Sequence, residues 1–119
     1  MSRAKTILCD IDGTLIKQYN KGISQQGTDS PPILDGTINK INEWDRLGYN
    51  IILITGRRES QRKITEDYLS YLGIVYDQLI MGIGGGDRII INDRKPDSDR
   101  DTAYAINLDR NKGIANVEI

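Results

Sequence analysis

Two aspartates near the start of the chain, Asp10 and Asp12, are the residues whose type and spacing most directly suggest chemistry. They follow the apolar run at 6–9 and precede Gly13 and Thr14. Two negative charges beside a hydrophobic core need a cation. Carboxylate oxygens suit Mg²⁺, which shares its other positions between water and a substrate phosphate. Gly13 allows a sharp turn that would free backbone amides to contact that phosphate.

A second polar stretch, Thr55-Gly56-Arg57, directly follows the apolar run at 51–54. It opens a predicted helix, and a hydroxyl and backbone amides at a helix start favour phosphate oxygens. Taken alone, these residues could equally form a helix cap. The aspartate pair has a similar alternative, because Asp and Gly are common in turns and could hold only a structural cation.

A third polar stretch, Asn92-Asp93, follows the apolar run at 89–91. By itself this pair is typical of a turn. The preceding glycines at 84–86 lack the spacing and the Lys-Ser or Lys-Thr of a P-loop, so we interpret them as a flexible connection.

The elements that must position these residues follow from four short apolar runs, each continuous and rich in β-branched residues. This pattern predicts strands buried on both faces at 6–9, 51–54, 78–81 and 89–91. Amphipathic helices are predicted between the first three: Leu34, Ile38, Ile41, Trp44 and Leu47 line one, and Ile64, Tyr68, Tyr71 and Leu72 line the other.

The alternation of strands and helices predicts an α/β fold, a doubly wound, Rossmann-like parallel sheet with right-handed crossovers. Residues 103–108 are expected to add a fifth strand. In such a sheet the carboxyl ends of the strands form the ligand-binding edge. All three polar stretches are therefore expected to face one crevice.

Composition narrows the class of protein. The 119 residues predict one domain spanning 1–119, without a cap domain, and the net charge of −1 provides no global field for nucleic acid or a membrane. The absence of histidine excludes Ser-His-Asp and Cys-His nucleophiles and imidazole zinc sites.

Cys9 is predicted to be a buried strand residue. The N-terminal residues lack a signal-peptide pattern, so we expect a cytoplasmic protein, and 17–32 is expected to form a loop or flap.

The Asp-x-Asp-Gly-Thr sequence behind an apolar strand resembles the signature of the haloacid dehalogenase superfamily, and the resemblance spans 5–108. It implies that Asp10 attacks phosphorus to form an aspartyl-phosphate, while Asp12 protonates the leaving oxygen and later activates water. It also implies that Thr55 binds the phosphate. Asp93 resembles the fourth motif, which implies a Mg²⁺ site formed by Asp10, Asp12 and Asp93.

The chain departs from the superfamily pattern at two places. Asn92 stands where a second acid is common, and a neutral amide binds Mg²⁺ more weakly. Residues 81–88 also lack the lysine that normally offsets charge on the nucleophile and phosphate. Candidate substitutes are Arg57, Lys63, Arg88 and Lys95. Of these we favour Arg57, which could bind phosphate bidentately.

Among superfamily members the chain is similar to capless ones, including small capsular-polysaccharide-biosynthesis phosphatases and the phosphatase domain of polynucleotide kinase. This implies a Mg²⁺-dependent phosphatase acting on a sugar phosphate, a nucleotide or another small metabolite, with a polynucleotide end as a further option. A homo-oligomer or a large substrate is expected to cover so open a site.

The sequence leaves two other function classes to weigh. One is a catalytically weakened module of the same fold that binds phosphate esters. A response-regulator receiver is the other, and it fails because its phosphorylated aspartate follows the third strand, where this chain has Met81-Gly-Ile-Gly84.

Overall fold

Three parallel strands and two α-helices make up the regular structure of residues 3–18 and 30–119, the part of the chain that this computed structural model describes. In order they are β1 (Thr6–Asp10), α1 (Thr37–Arg46), β2 (Asn50–Ile54), a 3-10 turn (Glu59–Gln61), α2 (Arg62–Leu72) and β3 (Gln78–Ile80). The sheet order is β1-β2-β3, and both pairings are parallel. The predicted α/β class is confirmed: the strands form a Rossmann-like parallel sheet, and no cap is apparent in the described residues.

The sheet has one well-covered face. Side chains alternate between faces along a strand, and Cys9, Ile51, Leu53 and Leu79 on one face join the core. On the opposite face Leu8 is 44% exposed and Ile80 39%. The expectation of strands buried on both faces was therefore wrong for the second face, which the described residues cover only in part.

The helices begin and end largely where the sequence indicates. The first begins after Gly36 (φ 84°) and presents buried Ile41 and Trp44 to the core. Gly73 ends the second in a left-handed conformation (φ 81°), as expected of a glycine stop.

The inward face of α2 differs from the prediction. Ile64 and Tyr71 are 69% and 82% exposed, whereas Thr65 and Leu69 are buried. The prediction placed Ile64 and Tyr71 on the inward face because their side chains are largely apolar. Thr65 faces inward instead, and its hydroxyl accepts a hydrogen bond from Arg57 Nη1, shortly after β2.

The predicted fourth and fifth strands were wrong. Neither 89–91 nor 103–108 is a strand, and the side chain of Ile91 is 92% exposed. A parallel crossover needs a dozen or more residues, but only 81–88 separate β3 from Ile89. The chain therefore cannot return to the start of the sheet.

Residues 89–108 instead form an extension with two adjacent limbs, which we call the arm. Asn92 Nδ2 donates to Thr102 Oγ1 at 3.0 Å, and the Arg94 guanidinium lies 2.8 Å from an Asp101 carboxylate oxygen. These contacts hold the two limbs side by side near their far end.

The C-terminal residues, which have no sequence pattern, pack against the start of α1. Ile114 donates its amide to the Asp35 carbonyl at 2.9 Å, and Ile114 and Val117 are buried. Gly113 has φ 86°, and a Cβ there would lie 2.3 Å from the Asp35 carbonyl oxygen. Only glycine permits this approach.

Several other predictions have different outcomes. Cys9 is buried, as predicted, and burial raises the pKa of its thiol to about 12. Most of the predicted flap at 17–32 lies outside the described residues, and the single-domain boundary of 1–119 stays a prediction. Within the described ranges, no helix is both long and apolar enough to cross a membrane.

We predict that Gly113→Ala destabilises the protein more than Gly73→Ala. Both glycines have positive φ, and such strain costs about 1–3 kcal/mol for a residue with a Cβ. Position 73 has open space for the methyl group, whereas position 113 faces backbone at 2.3 Å. Urea unfolding of the two variants measures the difference, and equal losses would contradict the close packing of the C-terminal residues.

Candidate functional site

The candidate site lies at the carboxyl ends of the first two strands. Asp10, the last residue of β1, pairs in register with Ile54, the last residue of β2. Asp12 follows one strand, and Thr55 and Arg57 follow the other. Parallel pairing therefore brings together two pairs of side chains that are more than forty positions apart in the sequence, as expected for this edge of the sheet.

A tight turn after β1 orients Asp10. Gly13 has φ 91°, and the Thr14 hydroxyl donates to Asp10 Oδ2 at 3.1 Å. The amides of Gly13 and Thr14 donate to the carbonyls of Ile16 and Ile11, at 2.7 and 3.2 Å. Both amides are therefore used in hydrogen bonds within the turn in this structure. Their predicted contact with substrate stays a prediction.

The Asp10 carboxyl is partly buried, and its surroundings favour the neutral form. Burial raises the pKa of Asp10 above its usual value, the hydrogen bond from Thr14 lowers it, and the nearby charge of Asp12 raises it. The Ile11 amide and the positive charge of Arg88 oppose the rise. A positive charge beside this carboxyl would therefore be stabilising.

Asp12 forms a bidentate ion pair with Arg57. Arg57 Nη2 lies 2.7 Å from Asp12 Oδ1, and Arg57 Nε donates to Asp12 Oδ2 at 3.0 Å. Only 23% of the arginine side chain and 21% of the aspartate side chain are exposed. Such planar, shielded pairs are strong. Arg57 was predicted to bind phosphate, but here it neutralises Asp12.

Two buried threonines fix this ion pair in place. Thr55 Oγ1 donates to Asp12 Oδ2 at 3.3 Å and accepts from the Arg57 amide at 3.1 Å. Thr65 on α2 accepts from Arg57 Nη1 at 3.0 Å. The Thr55 hydroxyl, predicted to bind phosphate, is 1% exposed and orients Asp12 in this structure.

The chain crosses the carboxyl ends of the strands after β3. The Gly82 amide donates to the Arg57 carbonyl at 2.7 Å and the Ile83 amide to the Thr55 carbonyl at 3.2 Å. A Cβ on Gly56 would lie 2.9 Å from the Gly84 carbonyl oxygen. Gly56 is therefore required for this close approach, and its predicted contact with substrate stays a prediction.

Arg88 is the basic residue of this crossing segment, and its charge acts on Asp10. Its guanidinium donates to the carbonyls of Gly84, at 2.9 Å, and Gly86. Among the four candidates for the missing lysine, it is therefore placed to offset charge on Asp10, whereas Arg57 is committed to Asp12. Lys63 pairs with Asp67 on the exposed surface of α2.

Asp93 does not join Asp10 and Asp12. It lies on the arm, 77% exposed, with a carboxylate oxygen 4.0 Å from Lys95 Nζ. Residues 3–18 and 30–119 contain no group of three acids, cysteines or histidines that could hold a metal ion. The short connection that prevents a fourth strand also keeps Asp93 away, so its role as a metal ligand stays a prediction.

Three supporting residues were not recognised from the sequence. Thr65 holds Arg57, and the Asn111 amide donates to the Gly13 carbonyl at 2.8 Å. A Cβ on Gly13 would lie 3.3 Å from Arg110 Cγ. These contacts join distant parts of the chain, so no local pattern could reveal them.

Arg57→Met should destabilise the protein by about 1–3 kcal/mol, because it leaves the Asp12 carboxylate shielded from water without a counter-charge. Asp12→Asn in the same background should recover part of that loss. A double-mutant cycle with chemical denaturation measures the coupling of the pair. The exposed pair Lys63 and Asp67 provides a matched control that should couple by less than about 1 kcal/mol; equal couplings would contradict the structural role of the inner pair.

Comparison with solved structures supports the fold. A structural-genomics target from Vibrio cholerae is 21% identical, with a TM-score of 0.50, and the match covers 74% of this chain and 79% of that one. A second Vibrio cholerae structure, described as a candidate 3-deoxy-D-manno-octulosonate 8-phosphate phosphatase, is 26% identical with a TM-score of 0.46. That match covers 66% of this chain and 41% of the other.

Comparison with sequences gives the family. No curated protein matches the chain significantly. The family model for the LNS2 domain of PITM 1-3 matches residues 7–87, more than half of the chain, and the matched range contains Asp10, Asp12, Thr55 and Arg57. The chain therefore belongs to the PITM 1-3 LNS2 domain family.

Proposed function

We propose that this LNS2-family chain is a Mg²⁺-dependent phosphomonoesterase that forms an aspartyl-phosphate on Asp10. The observation that carries the proposal is the placement of Asp10 at the carboxyl end of β1, oriented by the Thr14 hydroxyl and two residues from a second carboxylate. The resemblance of the Asp-x-Asp-Gly-Thr motif to the haloacid dehalogenase signature supports this choice of chemistry.

The reaction needs two displacements at phosphorus. A carboxylate oxygen of Asp10 attacks the phosphoryl group, and the bond from phosphorus to the ester oxygen breaks. Asp12 donates a proton to that oxygen, which leaves as an alcohol. Water then attacks the aspartyl-phosphate and gives a proton to Asp12, which releases inorganic phosphate and restores Asp10.

Asp10 would hold the Mg²⁺ ion through a carboxylate oxygen and Asp12 through its backbone carbonyl oxygen, which leaves the Asp12 carboxyl group for proton transfer. Their chemistry fits, because Mg²⁺ is commonly bound through one or two carboxylates with water and substrate oxygens in the remaining positions. When bound, the ion supplies positive charge against the phosphoryl oxygens and the nucleophile. A third ligand from Asp93 would require the arm to move.

Asp12 must be released before it can act as an acid. Both of its oxygens accept hydrogen bonds from Arg57, so neither is open to a leaving group. A phosphate ester competes for the same planar donors, since guanidinium binds phosphate as well as carboxylate. Arg57 would transfer from Asp12 to the substrate, while Arg88 offsets charge on Asp10.

The substrate class we propose is a sugar phosphate, a nucleotide or another small phosphomonoester. A chain with a net charge of −1 has no broad attraction for a polyanion. Selectivity then depends on local contacts above the carboxyl ends of the strands.

Asp10→Asn should reduce phosphate release by about 10³-fold or more, because it removes the nucleophile while keeping the side-chain shape. A panel of phosphomonoesters with Mg²⁺ and a phosphate-release assay measures this. Asp45→Asn, an equivalent change on the exposed side of α1, is the matched control and should keep full activity. Activity that survives the Asp10 change would exclude the proposed nucleophile.

The second candidate function is a catalytically weakened module that binds phosphate esters. The occupied Asp12 carboxylate and the absence of a lysine from 81–88 favour it. Calorimetry with Mg²⁺ and the same phosphomonoesters, followed by acid quenching to trap an aspartyl-phosphate, separates the two. Binding without an adduct or released phosphate supports the module, and an adduct that forms and decays supports the enzyme.

A further inference from the structure

The arm carries apolar side chains that its own chain leaves uncovered. Ile89 is 83% exposed, Ile91 92%, Tyr104 67% and Ile106 51%. Single exposed apolar residues are ordinary, but a set concentrated on one extension marks an interaction surface.

The dimensions of the chain also indicate a missing cover. Its radius of gyration is 15.3 Å, against about 13.5 Å for a compact domain of this length. The accessible surface is 8609 Å², against roughly 6,500 Å² for a compact monomer of this mass. The exposed side chains of the arm contribute to this surface, and one partner of an obligate dimer buries at least about 1,000 Å².

The same chain presents a second incomplete surface beside the arm. Among the strands of the described residues, β1 pairs only with β2, so its other edge is free. Leu8 on this strand is 44% exposed. A free edge presents unpaired N–H and C=O groups to another strand.

Both ends of the arm lie at the carboxyl end of β1. The guanidinium of Arg88, just before the arm, donates to the Gly84 carbonyl at 2.9 Å, and a Cβ on Gly56, just after β2, would lie 2.9 Å from the same carbonyl oxygen. Asn111, shortly after it, donates its amide to the Gly13 carbonyl at 2.8 Å. A parallel strand beside β1 must start at the opposite end, about 17 Å away over five residues. Ile89 follows Arg88 directly, so the first limb of the arm cannot pair in parallel with β1 of its own chain, and no strand of the described residues lies on that edge.

The charge of the arm fits a second copy of the chain. Residues 89–108 contain four acids and three basic residues, a balance of −1 that equals the formal charge of the whole chain. This mixture offers no net attraction to an anionic membrane or to nucleic acid. It suits an interface between two near-neutral surfaces of mixed sign.

We propose that the arm of one copy docks along the free edge of β1 in a second copy. The exchange is reciprocal, so a two-fold dimer covers both arms and both edges. This inference rests on the arm and the sheet edge, and it holds whether or not Asp10 is a nucleophile.

Sedimentation equilibrium should give a particle of twice 13.4 kDa at micromolar concentration. Ile91→Asp should weaken the dimer at least about tenfold, because it places a charge in the proposed interface. Ile64→Asp on α2, also largely exposed in the monomer at 69%, is the matched control and should leave the dimer intact. A wild-type monomer at all concentrations, or equal effects of the two changes, would overturn the proposal.

Photo-crosslinking locates the contact. A photoreactive benzoylphenylalanine replaces Ile91, and copies grown on ¹⁴N and ¹⁵N are mixed, unfolded and refolded together before illumination. The proposal expects mixed-isotope crosslinks between the arm and the tryptic peptide 6–17, which contains β1. Crosslinks only within one isotope would show the arm folding onto its own chain and would overturn the proposal, as would mixed crosslinks that avoid that peptide.

Discussion

The constraint on which the site depends is the placement of two carboxylates beside the hydrophobic core at the end of β1. Their charge must be compensated locally, because the surroundings are partly shielded from water. Arg57 compensates Asp12 through two hydrogen bonds, and buried Thr55 and Thr65 hold both partners in place. Asp10 has the Thr14 hydroxyl and the more distant charge of Arg88. The two acids therefore differ: Asp12 is ion-paired with Arg57, whereas the Asp10 carboxylate would be stabilised by a positively charged ligand.

This inequality links the structure to the proposed chemistry. A nucleophile must be open to substrate, whereas an acid-base residue must exchange protons with the leaving group. In this structure Asp10 is better placed to be reached by a substrate than Asp12 is to exchange a proton with a leaving group. In the proposed mechanism the ion pair would therefore act as the switch between a phosphate-binding protein and a phosphatase, since substrate and Asp12 would need the same guanidinium.

The sequence alone predicted the parts of this structure that depend on local pattern. The three short apolar runs up to residue 81 correctly predicted the strands, and Gly73 correctly predicted the end of α2. Parallel pairing then placed Asp10, Asp12, Thr55 and Arg57 at one edge, as expected. The prediction of a strand at 89–91 was wrong because the residue pattern matches a strand but the connection at 81–88 is too short for a crossover. A count of linking residues would have revealed this.

Other features could not be predicted because they depend on contacts between distant residues. The ion pair of Arg57 with Asp12 is set by three-dimensional proximity, and the sequence indicated only a contact with phosphate, which stays a prediction. Thr65 looks like an ordinary helix residue until α2 is packed. The docking of Gly113 against Asp35 requires a backbone approach that no local motif encodes.

The most direct test of the central claim is a crystal structure with Mg²⁺ and beryllium trifluoride, a mimic of the phosphoryl group. We predict that beryllium is bonded to a carboxylate oxygen of Asp10 and that Arg57 has moved from Asp12 to the fluorines. Beryllium trifluoride bound elsewhere, or an Arg57–Asp12 pair that stays closed beside an occupied Asp10, would contradict this prediction.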